Sequence, residues 1–161
     1  MAQRTVGAEP ATAGGSYRGT RWALRAGFGL QALLAMTQPV LAGSYLSGNL
    51  DAISVHSAIG GTLPVVGFLA LALAVLHWRP GGGPGWPALV MAALAVLFVV
   101  QANAGYSRML GLHIPLGVTL VGSSVALFAW SVAGRRRSRT AAPPTGIQAV
   151  PPAPARPGAE R

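Results

Sequence analysis

Four apolar stretches, at 22–46, 53–78, 86–105 and 112–133, alternate with short polar or glycine-rich connectors along the chain. Each is long enough for the roughly 20 helical residues that a bilayer core requires. The pattern therefore predicts four transmembrane helices. The first connector, Ser47-Gly48-Asn49-Leu50-Asp51, is rich in turn formers, and Asp51 is expected to help cap the second helix. The second, residues 80–87, is a run of Pro and Gly with one Trp; no Lys-Ser/Thr follows it and no strand precedes it, so it is a turn and not a phosphate loop. The third, at 106–111, is short and carries Arg108.

Outside the spans the pattern fades. Residues 1–20 hold few bulky apolar side chains and are expected to be a disordered tail. They lack the short apolar core and cleavage site of a signal peptide, so the first apolar run is expected to stay as a signal anchor. Residues 135–161 begin basic and become Pro- and Ala-rich, which favours extended, solvated backbone.

Polar residues inside the apolar stretches carry the remaining information. Arg25 lies one turn inside the first stretch and is expected to snorkel back to the headgroups. Gln38 precedes a kinking Pro39, and Gln101 and Asn103 stand at a similar place in the third stretch. The phrase His56-x-x-x-Gly60-x-Thr62-Leu63 recurs 57 residues later as His113-x-x-x-Gly117-x-Thr119-Leu120. The chain thus reads as two tandem two-helix repeats, although Gly, Thr and Leu are common enough in membrane helices for chance to produce part of the match. His77, at the end of the second stretch, has no counterpart and reads as an interfacial histidine.

Composition and charge agree with a membrane protein and refine its topology. Hydrophobic residues make up 52% of the chain and charged residues 9%, far from a soluble balance. The net charge of +9 comes from arginines that flank the apolar runs at Arg18, Arg21, Arg25 and Arg135 to Arg139, so they are read as topology determinants and not as a nucleic-acid face. The second connector follows Arg79, whereas the first connector carries no cation. Both termini are accordingly expected in the cytoplasm of a multi-pass cell-membrane protein, with His56 and His113 near the outer face. The lack of cysteine removes disulfides, thiolate metal sites and iron–sulfur clusters.

The fold expected is an all-α, integral membrane four-helix bundle with disordered termini. Ionisable residues within spans usually face the bundle interior, and neutral imidazole is a good iron ligand. Two histidines at one depth suit the two axial positions of a b-type haem, an arrangement whose chemistry is electron transfer. Gly60 and Gly117, one turn beyond each His on the same helix face, are expected to clear room for a flat macrocycle. Gln38, Gln101 and Asn103 are candidates to orient the ring nitrogens, and Arg108 is the candidate cation for the propionates. The hydroxyls of Thr62 and Thr119 are expected to bond their own helix carbonyls. The partners that follow are membrane lipid and a quinone or another membrane redox protein. The alternative is a non-catalytic accessory or interaction protein with no cofactor, in which both histidines bond carbonyls.

With one His near the outer end of each even-numbered helix, at His56 and His113, the chain resembles one four-helix half of the haem A synthase family. It also resembles small four-span cytochrome b-type membrane proteins. The resemblance covers the bundle and implies haem binding by the two histidines. Members of the synthase family carry an acidic residue three before the first His and an Arg after it; Ile53 and Ser57 stand there in this chain.

Overall fold

The structure, a computed structural model, describes residues 13–140, with side chains described for residues 17–133. Four helices make up nearly all of it: α1 (Ala13–Leu46), α2 (Asp51–Trp78), α3 (Trp86–Tyr106) and α4 (Leu110–Thr140). The architecture is an all-helical four-helix bundle. Packing runs α1 on α2, α2 on α3, α3 on α4 and α4 back on α1, which leaves α2 diagonal to α4. Among the described residues no Cα of α2 lies within 8 Å of one in α4.

The helix ends show how the connectors work. Leu46 ends α1 and Tyr106 ends α3, and each helix is followed by the same bonded turn: Asn49 N–H donates to the Ser44 carbonyl at 3.1 Å, and Met109 N–H to the Ala104 carbonyl at 2.9 Å. Such a turn needs one left-handed residue, supplied by Gly48 (φ 101°) in the first hairpin and by Arg108 (φ 57°) in the second. Asp51 falls in the first turn of α2, where its charge suits the helix dipole, but no side-chain bond caps that helix. Pro87, near the start of α3, occupies a position where a missing N–H loses no helical bond.

Two tail boundaries shift. The helix α1 begins at Ala13, so residues 13–20 are helical and not part of a disordered tail, and α4 runs through the arginine cluster to Thr140. The expectations of disorder for 1–12 and 141–161 lie outside the described residues.

The core is built from large apolar side chains alternating with alanine. Leu24, Phe28, Leu63, Met91 and Leu120 are buried, and between them Ala70, Ala74 and Ala95 let the helices approach closely. A Cβ on Gly67 of α2 would stand 3.5 Å from the Cα of Ala95 on α3, the kind of approach that small residues permit.

Three helical segments are long and apolar enough to cross a membrane: Asp51–Trp78, Trp86–Tyr106 and Leu110–Ala133. α1 is not among them. Its Arg25, Gln31, Thr37 and Gln38 lower its hydropathy, and these side chains do not point outward alike: Arg25 and Gln31 are buried. The outside of the bundle is also apolar, with Val40, Leu69, Leu89 and Val118 exposed.

One end of the bundle gathers Arg18, Arg21, Arg25, Arg79 and all four tryptophans. The rings of Trp86 and Trp130 meet edge to face with centres 4.6 Å apart, and the guanidinium groups of Arg25 and Arg79 lie 5.1 Å from the ring centres of Trp22 and Trp78. Arg25 does not reach outward as expected. It is buried, and its Nε–H donates to the Ser131 carbonyl at 2.8 Å, joining α1 to α4. A charge-assisted bond to a helix carbonyl gives the buried guanidinium a local partner at Nε.

His77 is likewise more than interfacial filler. It is buried against the α1 start, its Nδ1 3.3 Å from the Thr20 hydroxyl and its ring 5.3 Å from that of Tyr17. The glycine turn after α2 closes over it, with Gly83 N–H donating to the His77 carbonyl at 2.8 Å; a Cβ on Gly83 would overlap the imidazole.

Candidate functional site

At the other end of the bundle each hairpin positions one histidine in the same way. His56 lies in the second turn of α2 and His113 in the first turns of α4. Each is held by the last helix before it: Nδ1 of His56 is 3.2 Å from the Gln38 carbonyl, and Nδ1 of His113 is 3.0 Å from the Gln101 carbonyl. A carbonyl oxygen only accepts, so each Nδ1 carries the proton and, in the neutral ring, each Nε2 keeps its lone pair. Although α2 and α4 are diagonal, the two rings meet, with centres 6.1 Å apart and planes at 65°. Both residues are half-buried.

The two holds differ in length of chain and in one bond. Eighteen positions separate Gln38 from His56, but only twelve separate Gln101 from His113, so the first hairpin projects further beyond the histidine level. In the second hairpin the Gln101 amide also donates from Nε2 to the His113 carbonyl at 2.9 Å.

Glycines admit this arrangement, though in a different manner from the one expected. A Cβ on Gly60 would lie 3.3 Å from Oε1 of Gln38, and one on Gly117 would lie 2.8 Å from Nε2 of Gln101. Gly60 and Gly117 therefore seat the two glutamine side chains, and the room beside each His is filled by an amide. A third glycine, Gly105, lies against His113, where a Cβ would be 2.8 Å from Cε1. Gly105 stands out in sequence only as part of an Ala-Gly pair, which gives no hint that a ring leans on it.

The other expected members divide. Asn103 is exposed and donates to the Val99 carbonyl of its own helix, apart from the imidazoles. Arg108 is exposed in the turn before α4, and no described bond joins it to the pair. Thr62 and Thr119 donate to the Ile59 and Pro115 carbonyls, within their own helices, as expected.

Several buried amide atoms of the interior have no partner: Nε2 of Gln38, Oε1 of Gln101, and both polar atoms of Gln31. Gln31 lies two turns before Gln38 on the same face of α1, with 1% of its surface exposed. Two turns along their helices from His56, Gln101 and His113 stand Leu63, Leu94 and Leu120, all buried. Gln31 is thus the polar member of an otherwise leucine layer. The signal for it was present in the seven-residue spacing of the two glutamines.

Among the described residues no group of three or more His, Cys, Asp or Glu is placed to hold a metal ion. The site offers two imidazoles. No protein-family profile, no curated protein and no solved structure matches the chain.

Proposed function

We propose that the chain is an integral membrane protein of the cell membrane that holds a b-type haem between His56 and His113 and serves electron transfer. The observation that carries this reading is the meeting of the two imidazoles across the bundle diagonal with ring centres 6.1 Å apart. Two metal–nitrogen bonds of about 2 Å each, and about 1 Å from each nitrogen to its ring centre, require about 6 Å. His56 and His113 would hold the iron through Nε2, and the angle of 65° between their planes does not oppose this use. The Nδ1 bonds to Gln38 and Gln101 fix the tautomer that leaves Nε2 open, the usual support of a metal-bound histidine. Two protein ligands are enough for a cofactor that brings its other four nitrogens with it. When bound, such a haem supplies a one-electron couple with no open axial position. A quinone or another membrane redox protein is the partner class that follows. Arg108 is the basic residue of that end for the propionates, and the unpartnered Gln38 and Gln101 amide atoms face the same interior.

The membrane reading rests on the three apolar helical segments and on the apolar exterior, and it adds α1 as a fourth span carrying its polar residues inward. Arg18, Arg21, Arg25, Arg79 and the four tryptophans at one end, against Arg108 at the other, support placing the first end, with both termini, in the cytoplasm. The matching His–Gln holds in the two hairpins support a tandem repeat.

A second reading, an accessory protein with no cofactor, is favoured by the glutamine amides that rest over Gly60 and Gly117. One experiment separates the two. Membranes from cells overexpressing the chain with haem supplied are expected to show sharp reduced-minus-oxidised bands that disappear in His56→Ala and in His113→Ala. Purified protein that stays colourless after haem supplementation leaves the accessory reading.

A further inference from the structure

At the arginine-rich end, far from His56 and His113, α1 and α4 leave a groove of about 320 Å³ between them, lined by Trp22, Arg25, Ala26, Phe128 and Val132. Its wall is almost wholly apolar. Phe128 leans on Gly29, where a Cβ would lie 3.1 Å from the ring, and so forms the inner end. Trp22 stands at the open side, 59% exposed, with the Arg25 guanidinium against its ring.

The mouth of this groove is positive. Arg18 and Arg21 precede Trp22 and Arg25 by one helical turn each and so rise from the same wall. Arg18 is exposed and Arg21 half-buried. The single acidic residue among the described ones, Asp51, stands at the opposite end of the bundle. An apolar slot beneath Arg18 and Arg21 is complementary to a molecule with a hydrocarbon chain below an anionic headgroup. We infer that the α1–α4 groove is a binding site for an anionic phospholipid, one acyl chain lying over Ala26 and Phe128 and the headgroup phosphate between Arg18 and Arg21. A zwitterionic headgroup is a poorer match, because its own cation sits beside the phosphate and faces the arginines. Basic pockets between membrane helices are known to select lipid in this way.

The inference rests on the membrane reading but not on the haem. Carbonate extraction tests insertion alone: release of the chain into the soluble fraction sinks the membrane reading, and with it the site. For an inserted chain, the full-length protein is purified from bilayers of equal phosphatidylglycerol and phosphatidylcholine, and retained lipid is counted by native mass spectrometry. Phosphatidylglycerol is expected to be retained at least about tenfold over phosphatidylcholine, falling about fivefold for each of Arg18→Gln and Arg21→Gln. Ala26→Leu, which fills the groove and leaves the charge unchanged, is expected to lose the retained lipid as well; Val132→Phe fills it from the other wall should Ala26→Leu fail to fold. Soluble glycerophosphoglycerol, a headgroup without chains, is expected not to compete. Equal retention of the two lipids overturns the site. So does unchanged retention in the groove-filling variants, which reduces the effect to surface charge.

Discussion

Gln101 and His113 hold each other twice: the glutamine amide donates to the histidine carbonyl at 2.9 Å, and the imidazole Nδ1 donates to the glutamine carbonyl at 3.0 Å. Gln38 and His56 share only the second of these bonds. The side chain of Gln101 therefore carries a bond that the side chain of Gln38 does not. Gln101→Ala is expected to destabilise the bundle by about 1 kcal/mol more than Gln38→Ala, the net worth of one hydrogen bond. Thermal unfolding in a single detergent, followed by helical circular dichroism, compares the two; equal loss contradicts the difference in holding.

The glycines grade the same site. Gly105→Ala pushes a methyl group to 2.8 Å from the His113 ring, which is fixed at Nδ1 and has little freedom to move. Gly117→Ala meets the end of a flexible glutamine at 2.8 Å, and Gly60→Ala meets one at 3.3 Å. Disturbance of the histidine pair is expected to fall in the order Gly105, Gly117, Gly60. Nitrogen chemical shifts of the labelled imidazoles read it directly, and an unperturbed His113 in Gly105→Ala contradicts the packing described.

Gln31 opposes the stability of the bundle. Its amide is buried with neither polar atom paired, in a layer otherwise made of Leu63, Leu94 and Leu120. An unsatisfied buried polar group costs about 1–3 kcal/mol. Gln31→Leu is expected to raise the unfolding temperature measured without added cofactor. A lowered temperature means that the amide has a partner.

Much of the fold was legible in the sequence, because helices long and apolar enough to cross a membrane declare themselves as apolar runs between short polar connectors. Three of the four starts and ends fall within a few residues of the apolar boundaries. α1 departs most, since its first turns are polar and glycine-rich, and hydropathy alone does not separate a polar helical turn from a tail. The histidine pair was legible for a different reason: a repeated ionisable residue in an apolar run is rare. Gln38 and Gln101 were legible as candidates to orient the rings, but it was not legible that they do so through their main chain. The partners of His56 and His113 are backbone carbonyls, which every residue has, and a glycine that seats Gln38 looks the same in sequence as one that makes room for a ligand. Arg25 misled in the opposite way, since a charge near a helix start reads as surface-seeking while its Ser131 partner lies 106 positions away.

That cross-connection gives a further expectation. Removing the Arg25 head with a residue of similar length, Arg25→Met, deletes the bond to the Ser131 carbonyl and the contact with Trp22. The loss is expected to be about 1.5–3 kcal/mol, the range for a bond with one charged partner. Arg25→Lys, with a point charge in place of a planar fork, is expected to recover only part of it. Unfolding of all three proteins under one condition decides, and a stabilised Arg25→Met contradicts the role given to the bond.

The diagonal placement of α2 and α4 gives the histidine end a mechanical character. Among the described residues no Cα of α2 comes within 8 Å of one in α4, so the backbones of the two helices stay apart while α1 and α3 each grip one imidazole by a glutamine carbonyl. The pair works like the jaws of a calliper whose hinges lie in the neighbouring helices. A change in the lean of either hairpin opens or closes the gap between the two rings.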